Sequence, residues 1–235
     1  GSAYLGASAD EPCWIALYDD GPVSVGDTSW IVSTTAPGPG GGTSGINNIR
    51  PATLDDAHGV IELNNTISGE DIFIRKSQTF MVPPSDRALW LSARWQLHED
   101  ATNIVMGLGS SAGGGTEYVN ALAQSVASTV YLESRLTAAI DTVDSGTAFA
   151  TEEWQIIDVV LIAGLYAALW VDGDGPWILT DPTKLPAEGA DRYPSLGTIG
   201  EGGANPVYLD WYHVQEFAYV NAPDAFAVSG VQPVG

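Results

Sequence analysis

Cleaving a glycosidic bond with retention takes two carboxyl groups about 5–5.5 Å apart on one face. A β-strand meets that demand with acidic residues at alternating positions. No stretch of this chain carries a run of three acidic residues at that spacing. Glu99 and Asp100 are adjacent and so face opposite ways, and Glu152 and Glu153 repeat that arrangement ahead of a strand. Glu133 has no carboxylate two positions away. Only carboxylates brought together from separate strands would rebuild such a pair, and no catalytic residue is assigned from the sequence.

Other reactive sets are absent from the linear pattern. His58, His98 and His213 lie far apart, with no His-x-x-x-His or His-Glu spacing to hold zinc. Serine is plentiful, but no Gly-x-Ser-x-Gly elbow presents one. Cys13 stands in an apolar run, where a thiol packs rather than reacts. The glycines at 38, 40–42 and 113–115 precede no helix carrying a lysine, so they cradle no phosphate.

Aromatic rings offer binding chemistry instead. Trp90, Trp170, Trp177, Trp211 and Tyr212 are candidates for a sugar-stacking face, although most tryptophans of a β-sandwich are core. Trp177 follows Asp174-Gly175-Pro176 at a turn and is the best placed for exposure. Trp90, Trp177 and Tyr212 are the carbohydrate-binding candidates.

Strands must position all of these groups. Residues 88–97 alternate cleanly: Leu89, Leu91, Ala93, Trp95 and Leu97 share one face, Ala88, Trp90, Ser92, Arg94 and Gln96 the other. Residues 103–109 read as its hairpin partner, and 121–127 as either a short helix or a strand. Further strands are expected at 13–18, 29–33, 58–63, 71–77, 79–82, 129–136 and 138–141. In the last third, 153–162, a strand ending in Trp170-Val171-Asp172-Gly173, and 207–214 are rich in Val, Ile, Leu, Trp and Tyr on both faces, as strands sandwiched between layers are. Strands spaced at about ten residues with Gly and Pro turns make a sandwich or jelly roll.

Composition narrows the partners. The 235-residue chain has 29 acidic but only 8 basic residues, a net charge of −21. So few cations cannot neutralise a phosphate backbone, which argues against nucleic acid. No apolar run approaches the length of a membrane-spanning helix, so no membrane partner is expected. A lone cysteine leaves no intrachain disulfide, so the fold must stand on its core. The chain reads as a single domain over 1–235, a jelly roll of about 13–218 with an N-terminal arm 1–12 and a C-terminal arm 219–235.

Trp154 opening a long strand, then Leu169-Trp170-Val171-Asp172-Gly173, then Leu209-Asp210-Trp211-Tyr212-His213-Val214, resemble the concanavalin A-like (LamG/glucanase) jelly-roll superfamily. Together with Tyr18-Asp19-Asp20, Trp30, and the runs 58–63, 89–95 and 105–108, the order over residues 14–218 resembles LamG-like structural proteins of tailed bacteriophages. The resemblance implies an all-β, concanavalin A-like jelly-roll sandwich of two antiparallel sheets. The glucanase members carry Glu-x-Asp-x-(x)-Glu on one strand, which this chain lacks. It therefore implies a non-enzymatic virion protein, a capsid decoration or cement subunit on the outer capsid surface. Its partners would be the major capsid protein and copies of itself, in a trimer. A carbohydrate-binding module or a glycan hydrolase or lyase are the alternatives. No cofactor is implied beyond a structural calcium ion, held by Asp210 with Asp20.

Overall fold

The computed structural model describes residues 2–6, 30–35, 49–51, 61–64, 71–76, 80–97, 102–110, 117–123, 129–150, 152–200 and 206–218. Every regular element among them is a β-strand, so no helix there is long and apolar enough to cross a membrane.

The strands form two antiparallel sheets of eight. Sheet I runs β14 (Asp174–Leu179), β13 (Tyr166–Val171), β12 (Trp154–Ile162), β7 (Arg87–Leu97), β16 (Pro206–Ala218), β4 (Ile61–Asn64) and β3 (Ile49–Pro51), with β1 (Ser2–Gly6) also on β16. Sheet II runs β11 (Ala139–Ala148), β10 (Thr129–Leu136), β9 (Tyr118–Ala123), β8 (Thr102–Gly109), β15 (Asp191–Gly200), β5 (Asp71–Lys76) and β2 (Trp30–Thr35), with β6 (Phe80–Met81) on β15. This is the two-sheet jelly roll that the strand pattern predicts.

Alternation on β7 builds half of the core. Leu89, Leu91, Ala93, Trp95 and Leu97 are all fully buried, and across the gap they meet Ile104, Met106, Leu108, Val119, Val130 and Leu132 of sheet II. Each large side chain so buried contributes about 1.5–3 kcal/mol of transfer free energy. Sheet I is also apolar on its outer side. There Ala88, Val160, Ile162, Tyr166, Ala168 and Trp170 form a second buried cluster, which is why 154–162 and 166–171 show no polar alternation.

Three expectations change. β7 and β8 are not a hairpin: β7 pairs with β12 and β16, β8 with β9 and β15, so the chain crosses between sheets after residue 97. The ambiguous run at 121–127 gives strand up to Ala123. Residues 2–6, expected within an arm, add a strand to β16. The expected strand at 13–18, and with it Cys13, lies outside the described residues.

β16 carries a bulge. Leu209 pairs with Trp95, but Trp211 pairs with Arg94, so Asp210 is the extra residue. Val207 and Leu209 face the core before it, and Tyr212 does so after it.

Candidate functional site

The outer face of sheet II carries a polar cluster that no single stretch of sequence displays. On β9, Val119 and Ala121 point into the core, which turns Tyr118 and Asn120 outward. On β10, Val130 and Leu132 are core, so Tyr131, Glu133 and Arg135 share the outward face. Antiparallel register sets Glu133 directly opposite Asn120, and Arg135 opposite Tyr118. Side chains on facing and diagonal positions of a ladder are within reach of one another.

The contact that results is specific. The Tyr118 phenol donates a hydrogen bond to Glu133 Oε1 across the diagonal. Burial, and then the Glu133 carboxylate, push the Tyr118 phenol above its ordinary range, against the opposite pull of Arg135. Tyr118 therefore keeps its proton, and the carboxylate keeps a donor. Arg135 is steadied by its Nε donating to the Thr137 carbonyl at 3.1 Å.

Asn120 lies beside this pair. It is only 3% exposed, and its side-chain oxygen has no hydrogen-bond partner among the described residues. Gly107 stands opposite it on β8. A Cβ there would come within 2.7 Å of the Asn120 Cα, and closer still to the Val119 carbonyl and the Asn120 side-chain oxygen. Glycine at 107 thus gives the Asn120 amide its berth.

Asp144, on edge strand β11, is opposite Tyr131 and shares the face. Its carboxyl is held below the usual carboxylate range by Thr129 and by the Gly146 amide at 2.9 Å. Since Thr129 lies beyond Tyr131 from Glu133, this carboxyl is drawn away from Glu133 along β10. Glu133 is the carboxylate that converges with Tyr118 and Arg135.

The residues singled out from sequence are dispersed. Tyr212 is fully buried in the main core, where burial pushes its phenol well above the ordinary range, and a ring so enclosed cannot stack on a sugar. Trp177 is partly buried and packs against that same core. Trp90 is on the outer face of sheet I, its indole donating to Asp158 at 2.8 Å. Asp210 accepts from Arg94 at 2.7 Å. Asp20, its proposed companion for calcium, lies outside the described residues, and no cluster of three or more His, Cys, Asp or Glu side chains occurs among those described. His58 and His98 also lie outside them.

Sequence reasoning weighed Glu133 alone and passed over Tyr118, Asn120 and Arg135. The alternations Tyr118-x-Asn120 and Tyr131-x-Glu133-x-Arg135 were the available signal: the second lies in the strand expected at 129–136, while the first precedes the run at 121–127 that reads equally well as helix, so the two are not seen as neighbours.

No protein-family model matches the chain, and no curated protein matches it. Solved structures do. A β-glucanase of Bacillus licheniformis is similar at 14% identity and TM-score 0.58, over 92% of this chain and 98% of that one. A prokaryotic β-1,3-1,4-glucanase (lichenase) from a mouse hindgut metagenome follows at 16% and 0.55, over 83% and 96%. A glycosyl hydrolase family protein of Mycobacterium fortuitum matches at 12% and 0.55, over 83% and 95%. These likenesses establish the concanavalin A-like jelly-roll fold. They also correct the expectation of a non-enzymatic capsid-decoration subunit in a virion, because the similar structures are glucanases and glycosyl hydrolases.

Proposed function

We propose that the chain is a glycan-cleaving enzyme that hydrolyses a neutral polysaccharide laid across the outer face of sheet II. The observation that carries this reading is the Tyr118 phenol donating to the Glu133 carboxylate on that face. The fold it shares with glucanases supports the substrate class.

Charge selects among glycans. A net charge of −21 disfavours polyanions as ligands, which favours an uncharged chain. A neutral sugar has no carboxylate to acidify a neighbouring C–H, so hydrolysis is the reaction that remains. The Glu133 carboxyl protonates the glycosidic oxygen as the bond to the anomeric carbon breaks. Left as a carboxylate, it takes a proton from the water that adds to that carbon, and is restored as the acid, so one carboxyl serves both proton transfers and no second one acts as nucleophile. The Tyr118 hydroxyl steadies the charged intermediate state of Glu133, and Arg135 borders the same space.

The test is reducing-sugar release from soluble β-1,3-1,4-glucan. Glu133→Gln is expected to lower kcat by about 100-fold or more. Tyr118→Phe, which keeps the ring and removes one donor, is expected to cost about tenfold. Wild-type rates in Glu133→Gln would sink the assignment.

A further inference from the structure

Asn120 holds an unused hydrogen-bonding group at the floor of this site. Its side-chain oxygen is enclosed and unpartnered among the described residues. A carbonyl buried in that state keeps a desolvation penalty that a donor would offset. Nearby positions do not relieve it. Glu133 opposite is an acceptor when ionised, and Gly107 on the other side has no side chain.

The local backbone is arranged around this amide. Any side chain at 107 would collide with Val119 and Asn120, so β8 and β9 approach more closely than a Cβ would permit. The amide consequently lies against Gly107, on the strand directly across from the carboxylate. Glu133, Asn120 and Gly107 form a single row across three strands, and a sugar chain crossing the sheet along that row meets the carboxyl and the amide in succession.

We propose that the Asn120 side-chain carbonyl is a substrate-binding group that accepts a hydrogen bond from a sugar hydroxyl, fixing the position of the glycan relative to Glu133. This rests on the reading of the face as a glycan-cleaving site. Binding selects a ring with a free hydroxyl at that point and rejects one capped there, because a site built to pair a hydroxyl penalises the analogue that leaves its buried group unpaired. The residue positions the substrate, while proton transfer stays with Glu133.

The experiment measures binding without turnover, by calorimetric titration of a β-1,3-1,4-linked glucan tetrasaccharide into the Glu133→Gln protein and into the same protein carrying Asn120→Leu or Asn120→Asp. Asn120→Leu is expected to weaken Kd by about tenfold while the melting temperature holds or rises, because an apolar group replaces an orphaned carbonyl. Asn120→Asp keeps an acceptor oxygen and is expected to recover most of the affinity. A partly O-methylated tetrasaccharide is expected to bind the Glu133→Gln protein equally well with and without Asn120→Leu. Equal affinity of Asn120→Leu for the unmodified sugar overturns this inference alone. A drop in melting temperature with unchanged affinity overturns it too, by making the role structural. A protein that binds no tetrasaccharide in any form overturns both this inference and the glycan reading, whereas full cleavage by Glu133→Gln with weak binding by Asn120→Leu removes only the role given to Glu133.

Discussion

Arg94 on β7 reaches Asp210 on β16, 116 positions along the chain, with 2.7 Å between Nη1 and Oδ2. The same guanidinium lies 4.9 Å from the centroid of the Trp154 ring on the other neighbouring strand. One cation thus ties three strands of sheet I at the point where β16 bulges.

Arg94→Met keeps much of the stem and removes the charge. With the arginine side chain 39% exposed, the ion pair is screened by solvent, so the loss is expected to be about 1 kcal/mol including the ring contact. Urea unfolding at low and at high salt checks it: the gap between wild type and variant should narrow as salt rises. A gap indifferent to salt would leave packing as its whole cause.

Tyr166 is 1% exposed on the outer side of sheet I, and its hydroxyl finds no partner among the described residues. Burial pushes this phenol from 10.0 up to about 12. The folded state therefore binds the proton more tightly than the unfolded one. Its contribution to stability is complete below pH 10 and is lost as pH rises from there to about 12. Tyr166→Phe has no such proton to lose. It is expected to match or exceed wild-type stability at neutral pH and to pull further ahead in alkali, measured by denaturant midpoints at stepped pH.

Asp158 is enclosed beneath Trp90, and burial raises its carboxyl above the ordinary range, against the hydrogen bond that the Trp90 indole donates. A raised carboxyl favours the folded state below the unfolded value of 3.8 and loses that advantage as pH climbs through the folded value. Asp158→Asn retains an oxygen for the Trp90 indole without the charge. Relative to wild type it is expected to gain stability at neutral pH, with the difference vanishing in acid. Thermal unfolding at both ends of that range decides the matter, and a constant difference would refute it.

The strands were legible wherever chemistry alternated or ceased to. Leu89 to Leu97 announced a half-buried strand, and apolar residues on both faces of 154–162 and around Trp170-Val171 announced burial on both sides. Pairing was less legible, because alternation fixes a face and never a neighbour: β7 and β8 follow one another in sequence yet lie in opposite sheets. The site was the least legible part. Tyr118 and Glu133 are 15 positions apart, and their contact depends on a register that only the folded ladder supplies. Trp90, Trp177 and Tyr212 drew notice as large aromatics, and large aromatics are what a core of this kind consumes.

The extra residue in β16 sets the phase of everything after it. A strand addresses two sides in strict turn, and Asp210 advances that count by one, so odd positions look inward before it and even positions after it. Counting outward from Val207 and Leu209 therefore assigns Tyr212 to the outer side of sheet I, whereas the molecule seals it between the sheets. Removing Asp210 would shorten the chain by one link and restore that strict turn: Leu209, Trp211 and Tyr212 would stand opposite Trp95, Arg94 and Ala93 in unbroken succession, the ring of Tyr212 would stay inside the sandwich, and what the molecule would lose is the carboxylate that holds Arg94.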